Sequence, residues 1–237
     1  MELLPEGGQA SLNPQFKSRN LHHVKEGKKM NRYLQMFLAT AIPLGIVTGT
    51  ALTASAGQVR IELLDVKCGN TEDVTGADEF YIVGALSDGT NTNAALTSPI
   101  SINDRQTKSF PWNQQVIFDA NVPQGVTVRG GLKAYDEDFG KDWSKYGPMM
   151  KKIVDEVKKE LKDSDIPYSK TAGKILNGAL KGFGFFASLD KDDELGKLEL
   201  NVSPVGANVE EKTWRFRQTG LGWSTWDYTV RYRITRS

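Results

Sequence analysis

Apolar residues in this chain recur mostly at every second position, in short runs broken by Gly, Asn and Asp, and that spacing limits what the chain can fold into. Neighbouring side chains of a strand face opposite ways, so alternation buries one face and leaves the other to solvent. Val59, Ile61, Leu63 and, after Leu64, Val66 mark a first strand over residues 58 to 67. Phe80 to Leu86 marks a second, Ser98 to Ile102 a third, and Val116-Ile117-Phe118 lies in a fourth after Pro111-Trp112-Asn113. Val126, Val128 and the run to Tyr135 give another, with Gly130-Gly131 as a bulge or a point of close packing. Leu198, Leu200 and Val202 alternate cleanly; Trp214 and Phe216, then Tyr228, Val230, Tyr232 and Ile234, form two closing strands around a turn at Gly220 and Gly222. About eight short strands of this kind predict an all-β fold, an eight-stranded antiparallel β-sandwich.

One stretch has a different period. Ile153, Val157 and Leu161 repeat at i, i+4, i+8, with Met149, Met150 and Val154 widening the stripe and Pro148 suited to the first turn. Ile175, Leu176, Ala179, Leu180 and Phe183 form a second stripe, with Ser169 or Thr171 as its cap. A two-helix segment over about residues 144 to 188 is therefore expected inside the all-β domain.

The N-terminal part reads as a targeting segment. Lys28, Lys29 and Arg32 precede the apolar run Tyr33 to Val47, and Ala54-Ser55-Ala56 follows it. Basic flank, apolar centre and small residues at −3 and −1 are what a signal peptidase reads, so cleavage is expected after Ala56 and secretion or a periplasmic location with it. Met30 then reads as the start, residues 1 to 56 as a removed extension and signal peptide, and 57 to 237 as the domain. The alternative is an anchor over residues 33 to 52, which Pro43, Gly45 and Gly49 make a poor spanning helix.

Removal of residues 1 to 56 leaves 24 basic and 26 acidic residues, a balance that does not suit a general nucleic-acid binder. Both histidines, His22 and His23, go with the removed part, and histidine-based triads and histidine-ligated zinc go with them. Cys68 is the single cysteine, so neither an intramolecular disulfide nor a cysteine-rich metal site can form. Its strand position predicts a buried, inert thiol.

Acidic residues bunch at predicted strand ends: Glu72, Asp73, Asp78 and Glu79; then Asp136, Glu137 and Asp138; then Asp190, Asp192, Asp193 and Glu194. If these loops share one end of a sandwich, their like charges raise one another's pKa or recruit a cation. Calcium (Ca2+) is the natural candidate, since it takes about 6–8 oxygen ligands in irregular geometry.

Four blocks in order resemble the C2 domain family. Asp73-Val74-Thr75-Gly76-Ala77-Asp78-Glu79-Phe80 is similar to that family's first calcium loop, and Pro111-Trp112-Asn113-Gln114-Gln115-Val116-Ile117-Phe118 to its Trp-Asn-Glu stretch. Ala134-Tyr135-Asp136-Glu137-Asp138 resembles the strand end before the third loop, and Asp193-Glu194-Leu195-Gly196 that loop's close. The resemblance implies calcium ligands at Asp73, Asp78, Asp136, Asp138 and Asp193. The sequence departs from the family in three places. The first-loop aspartates are five apart, one short of the usual interval; Glu79 stands where Pro is common and is a further candidate ligand; and Asp138 and Asp193 are 55 positions apart because the helical pair interrupts the third loop. Asp142 or Asp192 is an alternative ligand there. An EF-hand on Asp190, Asp192 and Glu194 fails, because Gly196 falls one place late and Asn201 occupies the twelfth position.

Residues 139 to 189 hold ten lysines and six acids, so the insert is basic. Beside calcium loops it would face an anionic bilayer, with Phe183, Phe185 and Phe186 as an apolar wedge; packed on itself and the sandwich, it would instead bury its stripes, as short helices commonly do. Of the five tryptophans, Trp112 and Trp214 at strand positions are expected in the core, and core or turn packing is expected for Trp143, Trp223 and Trp226 rather than a sugar platform. The expected function is a non-enzymatic, calcium-dependent binding module for a phospholipid membrane surface or an extracellular protein. The alternatives are a membrane-perturbing effector acting through the insert, an interaction domain that binds no calcium, and, least supported, a hydrolase using Asp136 and Asp193.

Overall fold

The first alternation becomes one long strand whose phase slip after Leu63 is a register shift against its neighbour. The structure, a computed structural model, describes residues 56–71, 76–138, 143–162, 171–184, 192–219 and 225–237. The expected signal segment up to residue 55 lies outside them, as do Asp73, Asp142, Phe185, Phe186 and Trp223. In chain order the strands are β1 (Ala56–Asn70), β2 (Asp78–Ser87), β3 (Thr92–Leu96), β4 (Ile100–Ile102), β5 (Thr107–Ser109), β6 (Val116–Pro123), β7 (Val128–Asp136), β8 (Asp193–Val202), β9 (Val209–Gln218) and β10 (Trp226–Arg236). Helices α1 (Tyr146–Lys162) and α2 (Thr171–Gly184) stand between β7 and β8.

All strand pairings are antiparallel and form two five-stranded sheets, which makes the fold a β-sandwich with a helical insertion. In the first sheet β1 pairs with β10, which pairs with β9; the other edge of β1 is shared by β6 and the short β5. In the second, the order is β3-β2-β7-β8, with β4 completing the edge of β2. The expected third strand is β4, while β3 and β5 add two short strands that alternation does not reveal.

Val59, Ile61 and Leu63 of β1 meet Phe80, Ile82 and Leu132 of the facing sheet, and Val230 and Ile234 of β10 join them. Burying one such side chain stabilises the fold by about 1.5–3 kcal/mol. Trp214 belongs to this core, as expected. Trp112 does not: Pro111 leads into a short 3-10 turn over Trp112–Gln114, before β6 begins, and the indole stands 84% exposed.

β2 is buried on both faces. Phe80, Ile82 and Leu86 enter the sandwich, while Tyr81, Val83 and Ala85 point outward under the helices. Met149, Ile153 and Val157 of α1 and Ile175, Ala179 and Phe183 of α2, each set at i, i+4, i+8, close over that outer face. The insert is thus a helical hairpin that packs its stripes on itself and on the sheet. Glycines let the helices approach: a Cβ on Gly178 would sit 2.9 Å from Val157 Cα, and one on Gly182 2.6 Å from Ile153 Cα. Among the described residues no helix is long and apolar enough to cross a membrane.

Candidate functional site

Strand register gathers the acidic residues. β2 and β7 pair Phe80 with Asp136, and β7 and β8 pair Asp136 with Asp193. Residues directly across a ladder share a face, as do residues two apart along a strand. Asp78, Asp136 and Asp193 therefore fall on the sandwich-facing side at one end of the second sheet. Asp138 follows two places beyond Asp136, and the Glu137 amide still donates to the Glu79 carbonyl at 3.2 Å. The helical insertion does not prop this end open, because its two roots are neighbours in the ladder.

The four carboxylates sit at different depths. Asp78 is 0% and Asp136 2% exposed, whereas Asp138 and Asp193 are exposed. The Tyr228 hydroxyl donates to Asp78, and the Glu79 amide donates to Asp136 Oδ1 at 2.7 Å. Tyr228 is stacked on Phe80 with ring centroids 5.3 Å apart, so its hydroxyl is aimed by packing. Burial first, then the Asp78 hydrogen bond, pushes that hydroxyl's pKa far above the ordinary tyrosine range. The neighbouring Cys68 thiol is buried as expected and is pushed up to about 11, chiefly by the same loss of water.

As donors these carboxylate oxygens have the chemistry calcium takes. As placed, no three His, Cys, Asp or Glu side chains among the described residues stand close enough to hold an ion together. The rim is an alignment of carboxylates along one sheet end, with its two buried members already hydrogen-bonded. Asp73 and Asp142, two of the expected ligands, lie outside the described residues.

The outer face of the same end has a different composition. Glu79 is exposed beside Asp78 and faces the other way along the strand. Asp192, 7% exposed, accepts a hydrogen bond from the Tyr81 hydroxyl, which places this candidate ligand on the outer face under the hairpin. Trp143 donates its indole N–H to both oxygens of Glu137, at 2.9 and 3.1 Å. Phe183 is fully buried against Tyr81, with ring centroids 5.9 Å apart, so it is no part of an exposed wedge; the i, i+4 spacing that placed it on a stripe buries it. Sequence reasoning missed the roles of Tyr81, Tyr228 and Glu137. One signal was present: a tyrosine at an inward strand position must give its hydroxyl a partner, and acids stood at the adjoining strand ends.

No family model matches the chain, and neither does any curated protein. Among solved structures, the chain is similar to human GIVD cytosolic phospholipase A2 in complex with methyl gamma-linolenyl fluorophosphonate, at 12% identity and a TM-score of 0.38, covering 78% of this chain and 17% of that one. It is also similar to a C2 domain, at 14% identity and a TM-score of 0.33, covering 76% of this chain and 98% of that one. The sandwich itself is defined by the strand pairings above.

Proposed function

We propose that the chain is a non-catalytic, C2-like binding module, exported by its N-terminal segment, that holds calcium at the carboxylate rim and through it engages a phospholipid membrane surface or an extracellular protein. The observation that carries this reading is the register that brings Asp78, Asp136 and Asp193 to one face of one sheet end, with Asp138 two places beyond Asp136 in the chain, across an insertion of more than 50 residues. Asp136, Asp138 and Asp193, drawn closer together than they stand here, would hold the ion, together with Asp73 and the buried Asp78. When bound, the ion supplies positive charge at a rim that otherwise presents like charges to solvent. An affinity on the order of 10⁻⁴ to 10⁻³ M suits an extracellular module.

A second reading is favoured by the hydrogen bonds of Tyr228 to Asp78 and of Glu79 to Asp136. In it the buried carboxylates are structural, and the domain binds its partner without calcium. Thermal melting in calcium and in chelator separates the two. Binding to the folded state alone raises stability by about 2.7 kcal/mol at a hundredfold excess over Kd. The calcium reading expects a higher midpoint in calcium, lost in Asp136→Ala and in the exposed variant Asp193→Ala. Equal midpoints in calcium and chelator leave the second reading standing.

A further inference from the structure

We infer that the chain pairs with a second copy of itself through the open edge of β9, antiparallel and centred on Trp214, so that the two first sheets join into one. β9 is ten residues long and ends its sheet, with β10 on one side only. The Arg236 amide donates to the Asn208 carbonyl at 2.8 Å, and the β9–β10 register runs on from there without a shift. In an antiparallel ladder alternate residues bond the same neighbour. Even-numbered residues of β9 therefore bond β10, while Glu211, Thr213, Arg215 and Arg217 turn their amides and carbonyls to the open edge. A long edge of this kind is a template for another strand.

Which strand it takes follows from its charges. The acids Glu210 and Glu211 stand near the start of β9, and Arg215 and Arg217 near its end. A two-fold contact sets a surface against itself, so that residue i meets j and j meets i. With Trp214 opposite its own copy, Glu211 faces Arg217 of the partner subunit, and Arg217 faces Glu211 of the partner subunit. Opposite charges directly across a ladder attract and like charges repel, so an in-register parallel partner would set acid on acid. The same register sets Thr213 against Arg215 of the partner subunit, so each facing odd-numbered pair can exchange both backbone bonds. Arg217 is exposed and, among the described residues, forms no ion pair, whereas Arg215 is held by Asp227 at 2.5 Å. Glu211 pairs with Arg233 at 2.6 Å and still leaves 44% of its side chain exposed. Antiparallel pairing turns the two carboxylate rims to opposite ends of the joined sheet, an arrangement that suits bridging two surfaces. The contact itself needs no calcium.

The test is sedimentation of the full chain over a concentration series in chelator, with amide exchange at low and high concentration. The wild type is expected to form a dimer that dissociates on the order of 10⁻⁴ M, as small polar contacts do. Exchange at Glu211, Thr213, Arg215 and Arg217 is expected to slow as the dimer fills. Thr213→Pro removes a donor from the open edge and none from the β10 ladder, so it is expected to keep the fold and lose the dimer. Arg217→Glu and Glu211→Arg each make both facing pairs like-charged and are expected to dimerise roughly tenfold more weakly. An equimolar mixture of these two variants is expected to recover wild-type association, because every facing pair in the mixed dimer is opposite again. A wild type that stays monomeric to about 1 mM, tenfold above that range, overturns the inference. So does wild-type association in Thr213→Pro or in either charge variant alone, and so does a mixture that recovers nothing.

Discussion

At Cys68 and Asp78 the residue scale shows what burial does to groups that water would otherwise serve. Both are fully buried, and Tyr228 approaches each of them. The Tyr228 hydroxyl donates to Asp78, whereas at Cys68 the loss of water outweighs the help of the same hydroxyl, so its thiol holds its proton up to about 11. At pH 8 the thiolate, the reactive form, is then about a thousandth of the folded population. Labelling by a disulfide reagent at pH 8 is expected to be negligible in the folded protein and to appear with the urea unfolding transition. The linkage has a definite sign. An unfolded cysteine ionises near about 8.5, so above that pH the unfolded chain has released a proton that the folded protein keeps, and stability falls as pH rises toward 11. Urea midpoints measured at pH 8 and pH 10 check this decline, and Cys68→Ala is expected to reduce it, the remainder coming from the hydroxyls of Tyr81, Tyr135, Tyr146, Tyr228 and Tyr232, which burial also pushes up.

The hairpin shows, at the scale of an element, how spacing and size act together. Alanine is a better helix former than glycine by about 1 kcal/mol, and at Gly173, where a Cβ would meet nothing within 4 Å, Gly173→Ala is expected to stabilise by close to that amount. At Gly182 the same change drives a methyl against the backbone of α1, and overpacking of this kind costs about 1–3 kcal/mol. Gly182→Ala is therefore expected to destabilise, and opposite shifts of the two urea midpoints check the contact. The same logic explains which elements were legible in the sequence. β1 and β10 each have one wet face, so alternation declares them. β2 is dry on both, and its run from Phe80 to Leu86 reads as a strand without saying that a helix covers it. The three residues of β5 are all exposed, and β3 has too few apolar side chains to set a period. Trp112 fits an alternating count, yet the turn after Pro111 puts it outside. Of the candidate rim, the places of Asp78, Asp136 and Asp193 at strand ends were legible because acids bunch there. The Tyr228 hydroxyl on Asp78, and the contacts of Tyr81 with Asp192 and of Trp143 with Glu137, were not, because those contacts depend on which strands become neighbours.

For the whole molecule, the direction of the hairpin decides how rim and insert can act together. Trp143 and Phe183 lie by Tyr81 near the rim, while Lys158, Leu161 and Lys162 border a pocket with Gly89, Thr90 and Thr92, beyond the opposite end of β2. The ten residues of β2 separate these ends by about 30 Å at roughly 3.3 Å per residue. The free end of the basic insert therefore does not stand beside the rim as the charge pattern alone implied. At physiological ionic strength charges are screened over about 8 Å, so lysines at that end contribute little to a surface docked on the carboxylates. Nor can the helices offer their apolar stripes to a bilayer while they cover Tyr81, Val83 and Ala85. Excising residues 144 to 188 would bare that outer face and confound any binding assay. Charge reversal is cleaner: Lys158→Glu with Lys162→Glu is expected to sediment with phosphatidylserine vesicles in calcium within about twofold of the parent and to release no trapped dye, since screening isolates that end from the rim. Asp193→Ala is expected to stay in the supernatant. Retention of binding by Asp193→Ala, together with its loss in the lysine double variant, would move the contact from the rim to the free end of the hairpin and favour the membrane-perturbing reading.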